Sequence, residues 1–207
     1  MSGLFITFEG IEHCGKTTQS ERLAERLRKD GHTVILTREP GGTSLGLAIR
    51  ELLLHSPESV SDLPELLLFA ADRAHHVDTK IRPALADGQI VISDRFFDST
   101  RAYQGYGRAI EADLIDRAIS LATGGLTPDV SILLDIDVST SRSRGDDETD
   151  RIEQDSDQFF ERVRDGFLDI AKQEPDRFLV LDGTRSIEDV GQAIEHHLRP
   201  FLSRLGG

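Results

Sequence analysis

The chain has 207 residues, 38% of them hydrophobic and 29% charged, and its formal net charge is −13 at pH 7. This length and composition predict one globular domain, spanning residues 1–207, with a well-buried core. The acidic charge argues against binding to nucleic acid polymers or to anionic membranes, which favour basic surfaces. No run approaches the roughly 18 apolar residues of a membrane span, and a single cysteine, Cys14, fits a reducing compartment, so we expect a cytoplasmic protein.

Apolar runs and helical patterns alternate along the chain. The apolar runs predict strands near 3–9, 33–37, 89–94, 130–135 and 178–182. Amphipathic periodicity predicts helices near 16–30, 43–55, 63–82, 111–122, 156–173 and 186–204. Because several strands are almost wholly apolar, we predict a parallel sheet that is covered on both faces. The predicted fold is therefore α/β, a three-layer, doubly wound, parallel five-stranded sheet whose ligands bind at the carboxyl ends of the strands.

The first strand leads into a segment that fits the phosphate-binding pattern G-x-x-x-x-G-K-[ST], and a helical pattern follows directly. Its glycines let backbone N–H groups surround phosphate oxygens, Lys16 can reach the β and γ phosphates of ATP, and the Thr17 hydroxyl can hold Mg²⁺. Cys14 is expected to pack as a small side chain rather than to act as a nucleophile. The predicted ATP-binding residues in this loop are Gly10, Ile11, Glu12, His13, Cys14, Gly15, Lys16, Thr17 and Thr18.

The third predicted strand ends in Asp94-Arg95, next to the expected phosphate site. An Asp in this position can hold Mg²⁺ through water, although it could instead cap the next helix. Arg95 could clamp a phosphate with its planar guanidinium, or could form a structural ion pair. Thr17, Asp94 and Glu9, which ends the first strand, are the candidate metal ligands.

The stretch 139–154 is polar, with Ile152 as its one apolar residue. A solvated loop is the simplest interpretation. Because three arginines lie in it, Arg142, Arg144 and Arg151, we predict a mobile lid at about 141–154 that closes over ATP and excludes water. Arg142 is a candidate for binding ATP, and Arg144 and Arg151 are candidates for neutralising charge on the transferred phosphoryl group.

Several further segments form a set of short motifs along the chain. They are Phe8-Glu9-Gly10-Ile11-Glu12 running into Gly15-Lys16-Thr17-Thr18-Gln19, Arg38-Glu39-Pro40-Gly41-Gly42-Thr43, Leu68-Phe69-Ala70-Ala71-Asp72-Arg73, Asp94-Arg95-Phe96, Ser99-Thr100-Arg101-Ala102-Tyr103-Gln104-Gly105 and Asp150-Arg151-Ile152-Glu153. Together these motifs resemble those of the thymidylate kinases of the bacterial type, a family of P-loop nucleoside monophosphate kinases. The resemblance implies transfer of the γ-phosphoryl group of ATP to dTMP, with Mg²⁺ as cofactor and usually a homodimer.

The resemblance also implies roles for individual residues. Glu12 would bind the sugar 3′-hydroxyl of dTMP, and Arg95 its phosphate. Phe69 would stack on thymine, as a planar aromatic ring can, although a core position on an apolar helix face is the alternative. Tyr103 would pack against C2′ and exclude a ribose hydroxyl. The substrate-binding residues so implied are Glu12, Arg38, Pro40, Phe69, Arg73, Arg95, Thr100, Tyr103 and Gln104, and the catalytic ones are Lys16, Arg95, Arg144 and Arg151.

The family has two classes, with the catalytic arginine either in the phosphate loop or in the lid, and this chain resembles the lid class. It departs from the family pattern at His13-Cys14, where Gly followed by Ala or Ser is usual, and at Phe96, where Tyr is more usual. His13 must either keep φ negative or accept backbone strain. Two other functions stay open at this point, a kinase for another nucleoside monophosphate and a non-catalytic ATP-binding switch.

Overall fold

The structure is a computed structural model that describes residues 3–56, 60–145 and 151–205. Its centre is a five-stranded sheet in the order β2-β3-β1-β4-β5, and every neighbouring pair of strands is parallel. These observations confirm the predicted fold class, and each strand lies within one residue of its predicted position. The strands are β1 (Leu4–Glu9), β2 (Val34–Arg38), β3 (Ile90–Asp94), β4 (Val130–Asp135) and β5 (Phe178–Asp182).

Helices cover both faces of the sheet, because the strands are apolar on both sides. Along β1, Ile6 and Phe8 belong to one buried cluster, whereas Phe5 belongs to a second cluster on the opposite face. Successive side chains of a strand point to opposite faces, so a continuous apolar run needs a layer of helices on each side. In the described ranges, no helix is long and apolar enough to cross a membrane.

The helices follow the strands in a doubly wound order. The regular helices are α1 (Lys16–Lys29), α2 (Ser44–His55), α3 (Asp62–His76), α4 (Arg82–Ala86), α5 (Phe97–Thr100), α6 (Ala112–Thr123), α7 (Val138–Arg144), α8 (Asp157–Gln173) and α9 (Ile187–Leu202), and π-helical segments span Val77–Ile81 and Arg101–Gly107.

Three helical features differ from the prediction. The single helix predicted near 63–82 is interrupted by the π-helical segment Val77–Ile81, just before Pro83, which has no N–H with which to continue a regular helix. The segment 97–107, for which no helix was predicted, is helical throughout. It packs tightly on α8, because a Cβ on Gly107 would come within 2.5 Å of the Phe159 ring. The start of the predicted lid is also helical, since α7 runs to Arg144.

Candidate functional site

The phosphate loop connects β1 to α1, and its backbone requires glycine at two positions. Gly10 and Gly15 have φ angles of +136° and +100°, values that side chains disfavour. A Cβ on Gly10 would also lie 2.5 Å from the carbonyl oxygen of Leu134. Lys16, the first residue of α1, directs its Nζ to the carbonyl oxygens of Gly10 (3.1 Å) and Ile11 (2.7 Å). The ammonium group therefore lies over the loop, at the positive end of the helix dipole.

His13 and Cys14, the unusual pair in this loop, have different surroundings. His13 has φ +56°, so the backbone takes the left-handed conformation instead of keeping φ negative. Its exposed imidazole Nε2 lies 3.8 Å from the carboxylate of Glu153 in the lid segment. Cys14 is buried and free, and its Sγ is 3.5 Å from Lys16 Nζ. Its burial fits the packing role predicted for it.

Asp94, at the end of β3, binds the phosphate loop rather than the next helix. Its Oδ2 accepts a hydrogen bond of 2.6 Å from the Thr17 hydroxyl. The helix α5 begins at Phe97 with no side-chain cap, so the alternative role of Asp94 as a helix cap does not apply. A hydroxyl and a carboxylate that touch each other beside the phosphate loop are oxygen donors of the kind that Mg²⁺ prefers. The pair therefore fits the cation that the sequence predicted.

Glu9, also predicted as a metal ligand, is bonded to the turn after β3, and its role as a ligand stays a prediction. The side chain is fully buried, and its two carboxylate oxygens accept hydrogen bonds from the Phe96 backbone N–H (2.8 Å) and the Ser99 hydroxyl (2.6 Å). Burial, and next the negative charge of Asp98, raise the pKa of Glu9 to about 8. Because both donors belong to the segment that follows β3, Glu9 stabilises the turn at the end of that strand.

Arg95 stands at that turn in a strained conformation, with φ +69°. Its guanidinium donates to the carbonyl oxygen of Gly10 (2.9 Å), to Glu12 (2.8 Å) and to the Tyr103 hydroxyl (3.1 Å). The Tyr103 hydroxyl in turn donates to both carboxylate oxygens of Glu12, at 2.7 Å. The ion pair with Glu12 matches the structural alternative for Arg95, yet the guanidinium also lines the cavity described below.

One cavity of about 450 Å³ extends from the phosphate loop to α3 and the π-helical segment Arg101–Gly107. One end is lined by residues of the phosphate loop together with Asp94 and Arg95. The other end is lined by aromatic and polar side chains. Phe69 is only partly buried there, so its ring faces the cavity as well as the core. The predicted residues at the second end are Arg38, Pro40, Phe69, Arg73, Thr100, Tyr103 and Gln104, all of which line the cavity.

Arg73 is held rigidly at the second end of the cavity. It is 2% exposed, and its three nitrogens donate to Glu39 (2.7 Å), the Thr100 hydroxyl (2.9 Å) and the carbonyl oxygen of Phe96 (3.1 Å). A guanidinium carries five N–H groups, so two are left for a ligand. Such a fixed donor suits a phosphate or the carbonyl edge of a base.

Glu39 organises this region, although it was not singled out from the sequence. Besides Arg73, it accepts a hydrogen bond from His76 Nδ1 at 2.9 Å, and both partners are buried. The peptide bond from Glu39 to Pro40 is cis, and Arg38, Glu39 and Pro40 all line the cavity. The sequence did contain a signal for this role, since Glu39 lies between the predicted site residues Arg38 and Pro40. A charged side chain that is buried at such a position needs a partner.

The three lid arginines have different environments. Arg144 lines the cavity, and its guanidinium donates to the carbonyl oxygens of His13 (3.4 Å) and Gly183 (3.1 Å). Arg142 binds Asp157 and two backbone carbonyls, and Arg151 binds Glu65 and a backbone carbonyl. Among the described residues, neither Arg142 nor Arg151 lines the cavity. Residues 146–150 of the predicted lid lie outside the described residues.

Other cavity residues were missed from the sequence because nothing in their local pattern indicates a ligand. Ile152 and Glu153 follow the lid arginines, and Ser99 precedes Thr100 in a predicted motif. Arg50 and Leu54 come from α2, which carries an ordinary amphipathic pattern. Only the packing of α2 beside the cavity brings them there.

A phosphate loop, a carboxylate on the neighbouring strand and a second, arginine-lined end in one cavity define a P-loop protein of the nucleoside monophosphate kinase type. A model of the thymidylate kinase family matches residues 8–194. The thymidylate kinase of Nostoc sp. strain PCC 7120 is 48% identical over 98% of this chain and 100% of its own. That of Bifidobacterium longum strain NCC 2705 is 49% identical, with 96% and 98% covered.

A solved structure gives the same result. The thymidylate kinase from Ehrlichia chaffeensis superimposes with a TM-score of 0.80 at 41% identity, and the match covers 96% of this chain and 100% of the other. The chain belongs to the thymidylate kinase family.

Proposed function

We propose that this protein transfers the γ-phosphoryl group of ATP to dTMP, giving dTDP and ADP for dTTP synthesis. The observation that carries the proposal is the single cavity with a phosphate loop at one end and an aromatic, arginine-rich pocket at the other. Two phosphorylated ligands that meet in such a cavity can be aligned for direct transfer. Membership of the thymidylate kinase family supports ATP and dTMP as these ligands.

At the donor end, the residues Gly10 to Thr18 surround the phosphates of ATP. The Lys16 ammonium lies beside the loop carbonyls and can move onto the β and γ phosphates. Thr17 and Asp94 would hold Mg²⁺, which neutralises charge between the phosphates when bound. Arg144, the lid arginine on the cavity wall, is the candidate for stabilising the transferred group.

At the acceptor end, Arg95 binds the phosphate of dTMP and Glu12 accepts a hydrogen bond from the sugar 3′-hydroxyl. The Tyr103 hydroxyl holds Glu12 in place, and the Tyr103 ring packs against C2′. Phe69 stacks on thymine. The remaining acceptor residues, which contact the base or complete the pocket, are Arg38, Pro40, Arg73, Thr100 and Gln104.

We further propose one domain whose lid, at about 141–154, closes during transfer, and a cytoplasmic location, where ATP and dTMP are available. His13, Arg144 and Glu153 support the lid, because they bring the phosphate loop and the lid segment into contact at one end of the cavity. Closure would exclude water and limit hydrolysis of ATP.

We also propose a homodimer, formed through the neighbouring helices α2, α3 and α6. Seven leucines on these helices are between 42% and 85% exposed, an apolar surface that a second copy could cover. They are Leu45, Leu47, Leu52, Leu63, Leu67, Leu114 and Leu121. Sedimentation velocity should show a dimer that Leu67→Glu dissociates and that Ile187→Glu, an exposed control on α9, leaves intact. A monomeric wild type would contradict the proposal.

The reaction is tested by coupling ADP release to a visible signal with dTMP, dUMP, dCMP, dGMP and the ribonucleotide counterpart of dTMP as acceptors. We expect turnover that requires an acceptor and is fastest with dTMP. A purine preference would favour a kinase for another nucleoside monophosphate. Slow ATP hydrolysis that no acceptor stimulates would instead favour the switch module. Lys16→Ala, purified in the same way, controls for contaminating kinases.

A further inference from the structure

Glu65, on α3, joins the base end of the cavity to the lid segment. It is 1% exposed, and its carboxylate accepts hydrogen bonds from Gln104 Nε2 (2.9 Å), from Arg108 Nε (3.3 Å) and from Arg151. Two guanidinium groups beside one buried carboxylate compensate its negative charge. A charged carboxylate can only accept hydrogen bonds. Every group that touches Glu65 must therefore turn a donor toward it.

This requirement fixes the orientation of the Gln104 side chain. An amide has its donor, Nε2, and its acceptor, Oε1, on opposite sides, and the two are assigned by their partners. Because Nε2 faces Glu65, Oε1 is left for the other side, and Gln104 lines the cavity. Within the described part of the chain, Gln104 Oε1 makes no hydrogen bond. Gln104 is 2% exposed and cannot turn without losing its bond to Glu65.

We propose that Glu65 is a positioning residue that sets base specificity by holding Gln104 Oε1 toward the acceptor base. The inference deepens the proposed function and rests on it. Thymine and uracil carry a hydrogen on N3, which Oε1 can accept, whereas N3 of cytosine is itself an acceptor. Two facing acceptors repel each other and leave a buried polar group unpaired, so cytosine is rejected. Glu65 acts through Gln104 and touches no substrate.

The test compares dTMP, dUMP and dCMP as acceptors for the wild type and Glu65→Gln. A glutamine at 65 can donate to Gln104 Oε1, which lets the Gln104 amide turn its Nε2 into the cavity. We expect the ratio of kcat/KM for dUMP over dCMP to fall by about 10-fold to 100-fold, or ~1.4–2.8 kcal/mol, because a polar discrimination is lost. The ratio of dTMP over dUMP should stay unchanged, because both bases carry the N3 hydrogen. A merely structural role would lower all three activities alike.

Three further variants make the test decisive. Asp155→Asn removes the charge of another carboxylate that binds Arg108, without touching Gln104, and should keep the wild-type ratio. Glu65→Asp keeps the negative charge beside the two arginines, but its shorter side chain moves the carboxylate away from Gln104 Nε2. Glu65→Asp therefore serves as the test variant if Glu65→Gln does not fold. With Gln104→Leu in the background, the substitution at 65 should no longer change the ratio.

The outcomes separate this inference from the proposed function. If the wild type does not phosphorylate dTMP, the proposed function fails, and this inference with it. If the wild type is active and a folded variant at Glu65 keeps the dUMP over dCMP ratio within about threefold, only the positioning role of Glu65 is overturned. A ratio that still shifts in the Gln104→Leu background overturns it too, since Glu65 would then act by another route.

Discussion

Two of the three lid arginines, Arg144 and Arg151, should give opposite results when each is replaced by alanine. Arg144 is exposed at the cavity, and among the described residues its hydrogen bonds go to two backbone carbonyls, so we expect Arg144→Ala to change the free energy of unfolding by less than about 0.5 kcal/mol. If its charge stabilises the transferred phosphoryl group, kcat should fall by roughly 10³-fold, or about 4 kcal/mol of activation free energy. The KM for dTMP should change much less.

Arg151→Ala should act mainly on stability. The substitution removes a charged hydrogen bond to the buried Glu65 and a second bond to the carbonyl oxygen of Leu53. Charged hydrogen bonds contribute about 1.5–3 kcal/mol each, and Glu65 keeps Arg108 and Gln104 as partners. We therefore expect the unfolding free energy to fall by about 1.5–3 kcal/mol and kcat to fall by less than about 10-fold.

The assay is steady-state ADP release at saturating ATP, with urea unfolding of the same preparations. Arg142→Ala is the matched control, because Arg142 is also an exposed lid arginine but bonds to Asp157 and to the backbone carbonyls of residues 153 and 155. A large loss of kcat in Arg151→Ala with little loss in Arg144→Ala would refute the assignment. A change confined to KM in Arg144→Ala would make it a binding residue.

Other substitutions test the rest of the site. Lys16→Ala should abolish phosphoryl transfer and change the free energy of unfolding in urea by no more than about 1 kcal/mol. Near-normal turnover would contradict the phosphate-loop assignment. Tyr103→Phe should raise the KM for dTMP, because Glu12 loses a hydrogen bond. The preference for deoxyribose should stay, since the aromatic ring is kept. A relaxed sugar preference would contradict the role of the ring. Burial, and next the charge of Glu39, raise the pKa of Asp72 to about 6, so folding favours its protonated form. This shift stabilises the folded protein fully below about pH 4, and the stabilisation is lost as pH rises through 6. Between pH 5 and 7, the unfolding free energy of Asp72→Asn, measured in urea, should therefore fall by roughly 1 kcal/mol less than that of the wild type. Parallel plots of unfolding free energy against pH for the two proteins would contradict this prediction.

The sequence by itself determined the sheet and the donor end of the site. Runs that are apolar on both faces, such as β4, can only be buried between two layers of helices, and this pattern is local. The phosphate loop is also contiguous in sequence, so its glycines, Lys16 and Thr17 are positioned by neighbouring residues. The motif resemblance pointed to the acceptor residues that line the cavity, because each motif is short and follows or precedes a predictable element.

Only the tertiary structure decided where individual charged side chains point. Glu9 and Asp94 end neighbouring strands, yet Glu9 turns into the core, whereas Asp94 meets Thr17. Arg144 and Arg151 occur in the same polar stretch and bind entirely different partners. The partners of a charged side chain come from segments distant along the chain, and the choice among them depends on burial, which forces each charge to find a partner. Periodicity and local motifs carry no information about that choice.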